Sequence, residues 1–300
     1  MEIKNISETK LTSLQKLNLP NNILNTESEI LIFDSKDKWS KNKKVFKKLY
    51  INEGETFSNK LYTINEEIDK KEEINMEELI FADKLVSIKG QIAGFTMPYI
   101  ENINLKTFLS SNEFTVKEKL ARLKEVGEIL EKLKKVRKYT SVSNIYINDL
   151  HTSNFILNTK TSKINVVDTD SFKIGNNMAS SSKYLSQRSP IFAISKYKQN
   201  PNPIGGIYEI NENTELFCYI VMIFDYIFKD KITDLKISDY YMYLEYLSHL
   251  GVSNELLDKF ALIYLGQDNE NPYEYIEQLE EYYGRTSNLA FKAARKRFFY

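Results

Sequence analysis

The residues of this sequence that could do chemistry are concentrated in one stretch, residues 147–172. Asp149 is followed five residues later by Asn154, and Asp168 lies a further fourteen residues along the chain. At such a spacing one carboxylate can receive the proton of an attacking hydroxyl, while an Asn and a second carboxylate hold magnesium on nucleotide phosphates. The three residues therefore predict a site for phosphoryl transfer.

Helices are predicted on both sides of this stretch. Before it, Thr115 is a candidate N-cap, and the apolar residues that follow recur at helical spacing: Val116, Leu120, Leu123, Val126, Leu130 and Leu133. After it, residues 214–228 are apolar almost all round, which predicts a buried helix. Amphipathic segments follow at residues 241–250, 255–265 and 272–283. The site would therefore be set in a mostly helical region.

The first third of the chain instead predicts strands. Residues 28–33, 43–50 and 85–100 are rich in β-branched and aromatic residues and are separated by turn signals. Between the second and third segments, four apolar residues at spacings of four, three and four predict one amphipathic helix: Phe57, Leu61, Ile64 and Ile68. The expected unit is a small sheet with one helix packed against it.

Composition limits the class of protein. The 300 residues are 42% hydrophobic, enough for a sizeable core. Lysine plus arginine equals aspartate plus glutamate at 41 each, so no nucleic-acid partner is expected. Cys218 is the one cysteine, which excludes a disulfide within the chain and a zinc site built on thiolates.

The expected location is the cytoplasm. Residues 1–17 are charged throughout and contain no apolar stretch of signal-peptide length. The longest apolar run, residues 216–228, is interrupted by Asp225 and is shorter than the roughly 20 residues needed to cross a bilayer. No transmembrane segment is therefore expected.

Residues 149–154 read D-L-H-T-S-N and resemble both the D-L-H-P-G-N of aminoglycoside and choline kinase-like enzymes and the D-L-K-P-E-N of protein kinases. Over roughly residues 30–283 the chain resembles the protein-kinase-like superfamily. The resemblance implies one α+β domain with a bilobal fold. Residues 1–98 would form a small β-sheet lobe with one main helix, and residues 99–300 a larger, mostly helical lobe that ends in a basic tail at residues 285–300.

The resemblance also implies roles in the motif. Asp149 would accept or orient the hydroxyl proton, Asn154 and Asp168 would bind Mg²⁺, and ATP would be the phosphate donor. His151 would sit near the transferred phosphate, or it is a neutral hydrogen-bonding loop residue. Asp170 replaces the glycine of D-F-G and is either a carboxylate behind the metal ligands or a cap of the next turn.

Residues 44–47, K-V-F-K, match the lysine-bearing strand V-A-I-K of the family, so Lys47 is implied to pair with the α- and β-phosphates. A solvated strand lysine is the alternative in this lysine-rich segment. Strand periodicity places Lys47 on the inner face, where a lysine needs an anionic partner. The resemblance implies a glutamate on the following helix, either Glu66 or the adjacent Glu67.

Residues 94–101 resemble the hinge between kinase lobes. Met97 would line the adenine site. Pro98 has no N–H to donate, so the backbone atoms of Tyr99 and Ile100 are the implied adenine contacts. Glu215 falls at the start of the buried helix, where the resemblance implies a hydrogen bond to the catalytic-loop backbone.

The sequence also departs from the family. No glycine precedes Gly54, so the phosphate-covering loop G-x-G-x-x-G is absent, and no P-loop occurs. Three functions remain open. The first is an ATP- and Mg²⁺-dependent phosphotransferase, with a Ser/Thr protein acceptor ahead of a small molecule such as an aminoglycoside or choline. The second is a pseudokinase that binds nucleotide or serves as a scaffold. The third is an interaction protein that docks through its basic, aromatic tail.

Overall fold

The structure is a computed structural model that describes residues 3–16, 28–33, 43–50, 54–175, 210–228, 237–267 and 270–283. The basic tail at residues 285–300 lies outside these residues, so its proposed docking role does too. The described part of the chain combines a mixed β-sheet with packed helices, which confirms the expected α+β class.

The described residues form the following strands: β1 (Ile3–Ile6), β2 (Gln15–Lys16), β3 (Ser28–Phe33), β4 (Lys44–Leu49), β5 (Lys84–Ile88), β6 (Gln91–Pro98), β7 (Asn102–Asn104), β8 (Ile145–Tyr146), β9 (Phe155–Asn158), β10 (Ile164–Val166) and β11 (Lys173–Ile174). Their helices are α1 (Glu8–Thr12), α2 (Glu55–Ile74), α3 (Leu105–Ser110), α4 (Val116–Tyr139), α5 (Glu212–Phe228), α6 (Ile237–Leu250), α7 (Asn254–Tyr264) and α8 (Glu280–Tyr283). Short 3₁₀ helices cover Thr152–Asn154, Thr169–Ser171 and Pro272–Leu279.

Six strands form one sheet in the order β1-β5-β6-β4-β3-β2. β1 runs parallel to β5, and the other neighbours are antiparallel. The predicted strands at residues 28–33 and 43–50 are confirmed as β3 and β4. The segment 85–100 divides into β5 and β6 at Lys89 and Gly90, which both have positive φ. That division follows the turn chemistry that Lys-Gly predicts.

Strand β4 is buried on both faces because different elements cover the two sides. Val45, Lys47 and Leu49 face the cluster formed with α2, while Phe46 packs on the opposite face. The predicted inner face of this strand is confirmed, and Lys47 is 4% exposed. A buried lysine in a core strand requires carboxylate partners.

The helical region has a large core of its own. Thr115 caps α4 through a capping box, since its hydroxyl accepts the Glu118 N–H and the Glu118 carboxylate accepts the Thr115 N–H. The predicted N-cap is thus confirmed. The predicted buried helix is α5, whose side chains from Thr214 to Phe228 are buried apart from Asp225.

Helix α4 approaches its neighbours closely at Gly127. A side-chain carbon at this position would collide with Tyr273 and with the hydroxyl of Tyr219. That hydroxyl donates to the carbonyl of Leu123 at 2.9 Å, which fixes α5 against α4. No helix in the described part of the chain combines the length and the apolar character needed to span a bilayer.

Candidate functional site

The chain enters the site at residues 145–149, which are tied to the buried helix α5. The carboxylate of Glu215 accepts the N–H of Ile147 at 2.7 Å and the guanidinium of Arg137 at 3.0 Å. Arg137 also donates to the carbonyl of Ile145 at 2.9 Å. Burial raises the pKa of Glu215, and Arg137 and the Ile147 N–H oppose that effect. The expected bond from Glu215 to the backbone that leads into Asp149 is present, and it fixes the position of the chain just before Asp149.

Asp149 is held by two neighbours in its own loop. His151 accepts the Ser153 N–H on Nδ1 at 3.1 Å, so its proton lies on Nε2, which donates to Asp149 Oδ2 at 3.1 Å. Asn154 Nδ2 donates to the carbonyl of Asp149 at 2.9 Å. His151 therefore acts here as a neutral hydrogen-bonding partner that orients Asp149. Its direct contact with a phosphate stays a prediction.

The other half of the motif is brought to the same place by the hairpin of β9 and β10. The Val167 N–H donates to the carbonyl of Asn154 at 2.9 Å, which sets Asp168 beside the Asp149–Asn154 loop. Asp168 itself lies in the left-handed region, with φ 64° and ψ 33°. For a residue other than glycine this conformation costs about 1–2 kcal/mol, and such strain is common at functional sites.

Lys47 reaches into this site from β4. Its Nζ forms an ion pair with Asp168 and a second one with Asp170 at 2.6 Å. Burial alone would lower the pKa of Lys47, but the two carboxylates raise it. Among the described residues these are its ion pairs, and neither of the implied partners, Glu66 and Glu67, is one of them. In this structure the carboxylates next to Lys47 therefore come from the segment after β10, while Glu67 of α2 interacts with Lys47 only through its charge.

Asp170 is a fully enclosed carboxylate of the site. One of its oxygens binds Lys47 and the other binds Nζ of Lys60 at 3.2 Å, and its side chain is 0% exposed. We call Lys47, Asp170 and Lys60 the buried bridge. Burial alone would raise the pKa of Asp170, but the two lysines lower it to about 2. The open question about Asp170 is thus decided, because it pairs with lysines behind Asp168.

Sequence reasoning missed Lys60, although a signal was present. Lys60, Thr63 and Glu67 follow one another at spacings of three and four and are all buried on one face of α2. Polar residues at such a spacing beside an apolar stripe indicate a second, polar seam. Thr63 donates to the carbonyl of Phe172 at 3.3 Å, so this seam faces the segment that carries Asp168.

Of the two candidate glutamates, Glu67 is the one that points inward. It accepts the Ala82 N–H at 3.0 Å, and its Oε1 is buried without a partner in the described structure. Burial raises the pKa of Glu67 to about 8 against the lowering effect of the Ala82 N–H. Glu66 is only partly buried. Glu67 is therefore the acidic residue of α2 that belongs to the site.

The segment that resembles a hinge offers fewer groups than expected. The Tyr99 N–H donates to the carbonyl of Lys43 at 3.0 Å, and the Ile100 carbonyl accepts from the Asn102 side chain at 2.6 Å. Of the main-chain groups of these two residues, the Ile100 N–H and the Tyr99 carbonyl have no hydrogen-bond partner among the described residues. Met97 is buried in the cluster beneath this segment. An adenine contact through the Tyr99 N–H is thus incompatible with this arrangement.

Oxygen atoms suited to magnesium are present at two of the predicted positions. Asn154 Oδ1 and Asp168 Oδ2 form no hydrogen bond within the described structure, and hard oxygen ligands are what Mg²⁺ prefers. The described residues contain no group of three or more His, Cys, Asp or Glu side chains that could hold a metal. Mg²⁺ commonly completes its shell with water and phosphate oxygens, so a two-residue site fits it.

No protein-family model and no curated protein matches this chain significantly.

Proposed function

We propose that this protein is an ATP- and Mg²⁺-dependent phosphotransferase that acts on a hydroxyl group. The observation that carries the proposal is the convergence of Lys47, Asp149, Asn154 and Asp168 from separate segments onto one site. Their residue types match the needs of phosphoryl transfer. The sheet with α2 on one side of the site and the helical core on the other support a protein-kinase-like bilobal fold.

Each residue has a role that follows from its surroundings. Asp149 is oriented by His151 and Asn154 to receive or steer the proton of the acceptor hydroxyl. Asn154 and Asp168 would hold Mg²⁺, which when bound neutralises charge on the phosphates. Lys47 supplies a fixed positive charge at the same place. Positioning and charge supply most of the catalysis in such a site.

A Ser/Thr side chain of a protein is the favoured acceptor. The support is the bond from Glu215 at the start of the buried helix to the catalytic-loop backbone, an arrangement that resembles protein kinases more than small-molecule kinases. Aminoglycoside- or choline-like alcohols form the alternative acceptor class.

Phosphate transfer tests the proposal directly. Purified protein with Mg-ATP labelled at the γ-phosphate should label itself, a protein panel or a panel of small alcohols. The substitution Asp149→Asn should reduce that transfer at least about 100-fold, because it removes the proton acceptor. The matched control is Asp69→Asn, which neutralises an exposed carboxylate on α2. Equal transfer by the two variants would contradict the role of Asp149.

A nucleotide-binding module without turnover is the second candidate. The observation that favours it is the direct ion pair between Lys47 and Asp168, which already neutralises the carboxylate intended for the metal. The absence of any glycine before Gly54 points the same way. Here Mg-ATP should raise the melting temperature without any phosphate transfer. Asp168→Asn should abolish that rise, and an unchanged rise would exclude Asp168 from the site.

A further inference from the structure

The motif of Asp149, Asn154 and Asp168 does not account for the buried bridge of Lys47, Asp170 and Lys60. Both carboxylate oxygens of Asp170 accept from lysine ammonium groups, one from Lys47 at 2.6 Å and the other from Lys60 at 3.2 Å. Neither oxygen is open to solvent, since the side chain is 0% exposed. Asp170 therefore has no oxygen left to bind a metal ion. Both of its oxygens bind lysines instead.

Asp168 and Asp170 bind the same lysine but differ in their exposure to solvent. The side chain of Asp168 is 36% exposed and pairs with Lys47 through one oxygen only. Water or another cation can therefore reach Asp168, whose second oxygen is not bound by Lys47. At Asp170 the loss of Lys47 would leave a buried carboxylate short of a cation, which is strongly unfavourable. Lys47 thus has one exchangeable partner and one permanent partner.

Lys60 completes the permanent contact. Among the described ion pairs, the ammonium groups of Lys47 and Lys60 meet the carboxylates of Asp168 and Asp170. If Lys60 were neutral, Asp170 would depend on Lys47 alone. Two cations on the two oxygens of one carboxylate also fix its plane, and with it the direction of the oxygen that Lys47 binds.

We propose that Asp170 is the anchor of Lys47, and that Lys60 is a positioning residue that acts through Asp170 to keep Lys47 aimed at the nucleotide phosphates. The nucleotide part of this inference rests on the proposed function. The anchoring of Lys47 by Asp170 rests only on the contacts of the buried bridge. It assigns to a lysine of α2 the task that the resemblance gave to a glutamate of the same helix. Thr63, which binds the Phe172 carbonyl from the same face, holds α2 in register with the bridge.

Nucleotide affinity tests the role of Lys60. We expect Lys60→Met to weaken Mg-ATP binding, measured by calorimetry, at least about tenfold, which corresponds to about 1.4 kcal/mol. Lys60→Arg keeps the charge and should stay within about threefold of the wild type. The matched control is Lys71→Met on the same helix, where a lysine pairs with Asp83 at the surface, and no change is expected. Circular dichroism establishes that each variant is folded.

The same variants separate positioning from a structural role. If the protein transfers phosphate, Lys60→Met should raise KM for ATP more than it lowers kcat, because the reacting groups remain in place. If KM for ATP and kcat worsened equally, and Lys60→Arg were as damaging as Lys60→Met, Lys60 would have a structural role only. Equal Mg-ATP affinity in Lys60→Met and Lys71→Met would overturn the proposal.

Unfolding experiments without nucleotide test the anchoring of Lys47 by Asp170 independently of the proposed function. Urea unfolding of Lys60→Met, Asp170→Asn and the double variant forms a cycle in which the two changes should be coupled by at least about tenfold in the unfolding constant. Additive effects would exclude the anchor even if the wild type binds Mg-ATP. A coupled cycle in a protein that binds no Mg-ATP would retain the anchor and refute the proposed function, together with the nucleotide role of Lys60.

Discussion

Strand β4 and helix α2 are joined twice by the same chemistry, once near the surface and once in the interior. At the surface, Asp83 accepts from Lys44 of β4 at 2.9 Å and from Lys71 of α2 at 3.3 Å. We call this group the surface bridge. Its lysine side chains are 30% and 44% exposed, and Asp83 is 17% exposed. Solvent screens these charges, so the bridge should contribute little to stability.

The buried bridge repeats the plan with one β4 lysine, Lys47, and one α2 lysine, Lys60, on Asp170. Here the side-chain exposures are 5%, 10% and 0%. The interior strengthens each attraction but also penalises each unpaired charge. An identical set of residues can therefore be a dispensable surface contact or an obligatory buried one, and burial decides which.

Neutralising the carboxylate of each bridge tests most directly whether burial separates the two bridges. Asp170→Asn should lower the free energy of unfolding by about 3–5 kcal/mol, because two buried ammonium groups lose the fully buried carboxylate that they share. Asp83→Asn makes the same change in the surface bridge and should lower it by less than about 1 kcal/mol. Urea denaturation at pH 7 measures both. Equal losses would show that burial does not separate the two bridges.

The effect of burial on a charged group can also be measured at Glu67, which lies beside the buried bridge, through the pH dependence of stability. Its pKa is about 8 in the folded protein against an ordinary value of 4.5, so the folded state holds the proton longer than the unfolded state. Stability from this group is therefore greatest below about pH 4.5 and is lost as the pH rises toward 8. Glu67→Gln should remove this loss, which is on the order of a few kcal/mol.

Urea denaturation from pH 5 to 8 measures the effect of Glu67, in a range above the titration of Asp170, whose pKa is about 2. The stability of Glu67→Gln relative to the wild type should increase steadily across that range. Glu66→Gln is the matched control, because its side chain is only partly buried, and it should follow the wild type. Parallel curves for Glu67→Gln and the wild type would show that Glu67 is ionised in the folded protein throughout.

Much of the scaffold could be predicted because it depends on local patterns. The apolar stripe and cap of α4, the all-round apolar α5 and the alternation in β4 each require only short-range periodicity. The edge strands β1 and β2 were not predicted. β1 buries only Ile6 and exists through its pairing with β5, which lies about eighty residues away in the sequence.

The partners of Lys47 could not be predicted for a related reason. Helical periodicity identifies a face of α2 only to within about one residue, which left Glu66 and Glu67 equivalent. Lys60 and Asp170 are separated by 110 residues, and each has a common surface explanation when taken alone. Their pairing depends on how α2 packs against residues 169–171, and that is tertiary information. Sequence spacing thus identifies the residues of the motif, whereas the charges behind them depend on tertiary packing.

Gly94 offers the smallest and most local perturbation of the buried bridge. It lies in β6 opposite Lys48, and a side-chain carbon there would overlap the carbonyl of Lys47 and touch the ring of Phe46 at 3.0 Å. Its φ of +150° is also a conformation that other residues rarely adopt. Gly94→Ala should therefore push β4 away from β6, at a cost of about 1–3 kcal/mol.

Gly90→Ala is the control for Gly94→Ala, because Gly90 also has a positive φ, +81°, but has open space around it. It should show only the cost of backbone strain, about 1 kcal/mol, and leave Lys47 where it is. Urea denaturation and Mg-ATP affinity of the two variants separate strain from displacement. Because the Lys47 carbonyl and the Lys47 ammonium belong to one residue, a shift of β4 at Gly94 should also weaken nucleotide binding. Equal affinity in the two variants would mean that the buried bridge holds the ammonium group independently of its strand.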